Sequence, residues 1–127
     1  MPQEFVPIAE RVIDALLETD PALAASAGDH RFDDRLPDLS ADGVAREVAM
    51  LRDASAALSQ VDYEVLDAAE RVDHAVLLSL VERRLFERTE VREYEWNPLV
   101  YNPGDLLDGL ISRPFAPAEQ RLASLAG

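Results

Sequence analysis

Tyr94, Trp96, Asn97 and Tyr101 fall within one short stretch, Tyr94-Glu95-Trp96-Asn97-Pro98-Leu99-Val100-Tyr101, and Asn102 follows at once. Aromatic bodies with polar tips suit a substrate groove, since the ring supplies apolar contact and the tip orients a ligand. The same side chains can instead plug one end of a helical bundle; large aromatics are core formers first, so the plug is the favoured reading and the groove its functional alternative. A second concentration of chemistry is the loop holding Asp29, His30, Asp33, Asp34 and Asp38. Oxygen-rich loops bind calcium or magnesium. This spacing matches no EF-hand, however, and Arg31 and Arg35 stand ready to neutralise the acids, so an ion-paired structural loop is expected. Glu70 and His74 lie one helical turn apart, as in di-iron bundles, but a second such turn is absent. His74 is therefore expected as a polar residue at the edge of an apolar stripe. The serines lack a Gly-x-Ser-x-Gly setting. No catalytic residue, cofactor-binding residue or metal ligand is assigned to any position.

Composition narrows the partners. The 127 residues carry 25 acids against 12 bases for a net charge of -13, and every base is arginine. Nucleic acid and anionic membrane surfaces are poor partners, because both need a basic face. Zero cysteines rule out a disulfide framework and thiolate chemistry, and a chain without disulfides suits the cytoplasm. There is neither a basic leader ahead of an apolar core nor an apolar run of about 18 residues, so a soluble cytoplasmic protein without a targeting segment is expected. A hydrophobic fraction of 48% is that of an ordinary globular domain, here a single module over residues 1–127.

Helices must position these residues. Phe5, Ile8, Ala9, Val12, Ile13 and Leu16 share one arc, which predicts an amphipathic helix from Gln3 to Thr19. Asp20-Pro21 starts a short second helix that Gly28 closes. Ser40 caps a third, with Val44, Val48, Leu51, Ser55 and Leu58 as its packing seam. Asp67-Ala68-Ala69-Glu70 is a capping box that opens a long helix, expected to run unbroken to Trp96 or Asn97, a rod of about 40 Å. Two apolar stripes on it, Leu78, Val81 and Leu85 against Val72, Val76 and Leu80, predict packing on both sides and a central place in the bundle. Asn102-Pro103-Gly104 begins a fifth helix with Leu106, Leu107, Leu110 and Ile111, ended by Arg113-Pro114. Pro117 begins a sixth, with Leu122 and Leu125 on one face. The expected class is all-α, five or six helices in an irregular bundle around the long one, with no sheet.

Two stretches carry a resemblance. Gly28-Asp29-His30-Arg31-Phe32-Asp33-Asp34-Arg35-Leu36-Pro37-Asp38-Leu39-Ser40 is the first. The second runs from Arg71-Val72-Asp73 through Arg84-Leu85-Phe86 to Glu95-Trp96-Asn97-Pro98 and Tyr101-Asn102-Pro103. Together they resemble the N-terminal part of the bacterial DUF885 family, whose members are several times longer and look like zinc metallopeptidases with a His-Glu-x-x-His-like motif far toward the C-terminus. No position here matches that motif. The resemblance implies zinc for the full-length relative and none for this chain, and a role as the non-catalytic wall or lid of a substrate cleft. Its partners are then the remainder of the parent polypeptide, or a second copy meeting an exposed apolar face. The alternative from another class is a self-contained acidic interaction module without enzymatic activity.

Overall fold

The computed structural model describes residues 4–126. Among the described residues, six α-helices, one isolated α-helical turn, one π-helical turn and two short 3-10 turns account for the regular structure, and no strand occurs. The all-α expectation holds.

Helix α1 (Phe5–Thr19) buries Phe5, Ile8, Val12 and Leu16, the row that the 3.6-residue period places on one side. The predicted start at Gln3 lies outside the described residues. Helix α2 (Pro21–Ser26) is started by Asp20, whose carboxylate accepts from the Leu23 amide at 3.0 Å. It ends in a Schellman arrangement: Gly28 takes φ +91°, its amide donates to the Ala25 carbonyl, and the Asp29 amide donates to Ala24. The loop 29–39 then leads to α3 (Ala41–Ser59), capped by the Ser40 hydroxyl, which accepts from the Gly43 amide at 3.1 Å. Gly43 has to be glycine for space, because a Cβ there would overlap the backbone and side chain of Asp38.

Helix α4 (Ala68–Phe86) opens with the predicted capping box, in which Asp67 accepts from the Glu70 amide while Glu70 accepts from the Asp67 amide. It packs against α3 and α1, and these three helices own the main core: Phe5, Ile8, Val12 and Leu16 meet Leu51, Ala54 and Leu58, with Leu77 and Val81 closing the third side. Full burial of each such side chain is worth about 1.5–3 kcal/mol relative to exposure.

Two expectations for the long helix are corrected. It is not continuous to Trp96: α4 stops at Phe86, a π-helical turn covers Glu87–Val91, Arg92 adopts a left-handed conformation (φ +53°), and a single turn, α5 (Glu93–Trp96), follows. Side chains take up the carbonyls this break releases. Thr89 Oγ1 donates to Leu85, the Tyr94 hydroxyl to Arg88 and Trp96 Nε1 to Val91. Nor is α4 packed on two sides. Val81 is fully buried and Leu78 and Leu85 lean on the core; of the second stripe Leu80 also leans on it, but Val72 and Val76 are 61% and 63% exposed. The inward row is His74, Leu77 and Val81, because that is the side α3 and α1 occupy.

Buried charge fastens α4 in place. Arg84 Nε donates to Glu47 Oε1 at 3.1 Å, Arg88 Nε to Glu47 Oε2 at 2.8 Å, and Arg84 Nη1 to Asp20 Oδ2 at 3.1 Å. Glu47 is buried in the middle of the α3 seam. Burial opposes the charge on Arg84, but Asp20 and Glu47 outweigh it and leave the guanidinium more firmly protonated than usual. Asp20 thus serves two helices, capping α2 with one oxygen and holding α4 with the other.

A second, smaller assembly follows. The turn Pro98–Tyr101 leads into α6 (Gly104–Ser112), which packs its buried Leu106 and Leu110 toward α2, and α7 (Ala118–Ala126) lies on α6. Arg121 ties the pair together, its Nη1 donating to the Leu110 and Ile111 carbonyls and its Nε to Ala116. No residue of α7 is buried.

Candidate functional site

The break after α4 sets the geometry of the aromatic stretch. Once Arg92 turns the chain, Tyr94 and Trp96 fold back over the π turn they cap, and Asn97 caps the following turn by accepting from the Leu99 amide at 3.0 Å while its Nδ2 donates to Glu93. The Tyr101 hydroxyl donates to the Tyr94 carbonyl. Every polar tip in the group is therefore engaged with nearby protein atoms. The rings are not sealed in: Trp96 is 63% exposed and Tyr101 55%, beside Leu99 at 73%. Tyr94 and Asn97 are half-buried. The structure thus brings the four residues together as a knob with exposed aromatic faces, in contrast to the plug reading. Tyr101 also borders an open cleft of about 300 Å³ with Leu36, Pro37, Leu39, Asn102 and Asp105.

The acidic loop resolves into ion pairs. Asp29 accepts from the backbone amide and guanidinium of Arg31, which also reaches Asp14. Arg35 pairs with Glu18, and Arg46 with Asp38. Asp29 is held below the ordinary carboxylate range chiefly by Arg31; Asp38 is lowered chiefly by the Ser40 hydroxyl, then by the Ser40 amide, with Arg46 adding. Asp33 differs from its neighbours. It is buried, its Oδ2 meets His30 Nδ1 at 2.8 Å, and its Oδ1 is buried without a hydrogen-bond partner. The His30 ring lies flat against Phe115, centroids 3.8 Å apart and planes within 3°. His30, Asp33 and Phe115 border a crevice of about 310 Å³ that α6 lines with Asp105 and Asp108.

His74 was expected at the edge of an apolar stripe, and it is buried instead. Its Nε2 donates to the Leu58 carbonyl at 2.7 Å, in the last turn of α3, and Phe5 and Tyr63 flank the ring. The ring therefore caps α3 as well as filling the core. Zinc needs three or four converging nitrogen, oxygen or sulfur ligands. Among the described residues no group of three His, Cys, Asp or Glu side chains is placed to hold a metal ion.

The sequence reading missed the clamp of Asp20, Glu47, Arg84 and Arg88. A signal was present: Glu47 stands in the apolar row between Val44 and Leu51, and Arg84 and Arg88 repeat at i, i+4. The His30–Phe115 stack left no such trace, because its partners are 85 positions apart in numbering and no local pattern couples them.

A family model described as "Bacterial protein of unknown function (DUF885)" matches residues 21–127. No curated protein matches the chain. A solved structure described as "a putative lipoprotein of unknown function" from Shewanella oneidensis superposes with a TM-score of 0.88 at 25% identity, over 97% of this chain and 22% of that one. The chain thus spans about a fifth of the length of that relative. Its description overturns the cytoplasmic expectation, since it points to a membrane-anchored or secreted setting. The lack of cysteine on which that expectation leaned excludes disulfides and says nothing further about compartment. Among the described residues no helix is long and apolar enough to cross a membrane.

Proposed function

The chain belongs to the DUF885 family, and from that premise we propose that it is a non-catalytic helical region, a wall or lid beside the substrate cleft, of a longer zinc-metallopeptidase-like protein. One observation carries the reading: the fold of nearly the whole chain recurs as about a fifth of a much longer one. In support, Trp96, Leu99 and Tyr101 present apolar surface that a neighbouring part of the parent can cover or a substrate can meet. Zinc, when bound by the rest of such a protein, supplies a Lewis acid and an activated water. The groove candidates Tyr94, Trp96, Asn97 and Tyr101 would contribute aromatic contact at the cleft edge. The relative's description supports an anchored or secreted location, and lipid anchoring makes no demand for a basic surface on this acidic module.

The test is metal content and peptide hydrolysis, measured on residues 1–127 after exposure to zinc and dialysis. The expected result is no retained zinc and no cleavage of a mixed peptide library. One zinc retained per chain, or cleavage abolished by a chelator, overturns the reading.

A further inference from the structure

The side of α4 that faces away from α1 and α3 is an apolar strip with a particular charge arrangement. Val72 and Val76, more than 60% exposed, lead into an open groove of about 440 Å³ bordered by Val76, Ser79, Arg83 and the outer edge of Leu80, which is half-buried against the core. No other element of the described module covers it. Asp73 and Arg83 flank the strip toward its opposite ends, roughly 15 Å apart along the axis at about 1.5 Å per residue. Neither has an ion-pair partner among the described residues, whereas the neighbouring Arg84 and Arg88 are consumed by Glu47.

A two-fold interface requires a patch that complements itself, with each residue i meeting j and each j meeting i. This strip does. A second α4 laid antiparallel across it, with the two-fold axis level with position 78 along the helix, sets Val76 against the outer edge of Leu80 of the second copy and Asp73 against its Arg83, and the symmetry repeats both pairings. The helix dipoles also oppose. The small side chain of Ser79 lets the two backbones approach near the axis. On a molecule of net charge -13 most surfaces repel a copy of themselves; this one is neutral along its length and carries its opposite charges in the order a two-fold pair needs.

We propose that this face of α4 is the contact through which two copies of the chain associate, antiparallel, with Asp73 paired to Arg83 across the axis. It is independent of any peptidase role. Sedimentation equilibrium over a concentration series tests it, with circular dichroism confirming the helical content of each variant. The mass should rise from 14.0 kDa toward twice that value, and Val76→Arg, at an exposed position that leaves the fold intact, should hold it at the monomer. Asp73→Arg alone and Arg83→Asp alone should each weaken association about tenfold or more, since like charges then face each other twice. Mixing these two variants should restore it as a heterodimer, because both cross-axis pairs become attractive again. A monomer at every concentration, a dimer indifferent to Val76→Arg, or variants that fail to complement each other would overturn the proposal.

Discussion

The three-helix unit of α1, α3 and α4 and the α6–α7 arm use similar residues to opposite ends. In the first, apolar rows face one another: Ile8, Leu51, Leu58 and Val81 are all essentially inaccessible. In the second, only Leu106 and Leu110 are buried, and Ile111 and Leu122 are each 66% exposed although both sit on recognisably amphipathic helices. Amphipathicity thus specifies a helix with something to bury, and a neighbour decides whether it is buried. The first unit is closed by its own helices and by the Glu47 clamp. The arm is held by backbone-directed bonds from Arg121 and by the His30–Phe115 stack, leaving its apolar face for a further surface.

That contrast can be broken or sharpened by substitution. The largest effect is expected from Glu47→Ala, which strands Arg84 and Arg88, both under one fifth exposed, without their shared carboxylate. Loss of one partner of a buried pair costs about 3–5 kcal/mol, and urea unfolding monitored by circular dichroism should show it. Next, Leu51→Ala, at a fully buried site, should cost about 2–5 kcal/mol. Leu122→Ala in the arm should stay within about 0.5 kcal/mol in the same assay. Equal losses at the two positions would mean that the arm shares the core of the first unit, and the comparison would fail.

The smallest effect concerns the loop between α2 and α3. Asp38 has its folded pKa depressed, so its contribution is present above the unfolded value and is lost as pH falls through the lower, folded one, in the range below about 4. An NMR titration should place the Asp38 midpoint below that of an ordinary aspartate. Ser40→Ala should move it back up, because the Ser40 hydroxyl is the chief cause of the lowering. An unchanged midpoint in that variant would assign the effect to the Ser40 amide and Arg46, which the substitution leaves in place.

Much of the candidate site was legible in one respect and hidden in another. That Tyr94, Trp96, Asn97 and Tyr101 lie close together followed from their spacing in the chain. Their exposure did not, because it depends on the left-handed turn at Arg92, a conformation that nothing about an arginine announces. The acidic loop was readable as ion-paired because Arg31 sits two residues from Asp29, within local reach. The pairing of Arg35 with Glu18 lies 17 residues away and was not.

Sequence alone determined the class, the starts of α2, α3 and α4 and the closure of α2, because caps, proline positions and apolar periods act over three to five residues and are written in adjacent letters: Asp20-Pro21, Gly28, Ser40, Asp67 with Glu70. Only the tertiary structure decided which stripe of α4 is inside. It chose the row of His74, Leu77 and Val81 over Val72 and Val76 because α3 lies on that side, with His74 reaching a carbonyl 16 residues back and Arg84 a carboxylate 37 back and another 64 back. A helical period fixes the angle between stripes; which of them is dry depends on distant parts of the chain, and those pairings exist only once the chain has folded.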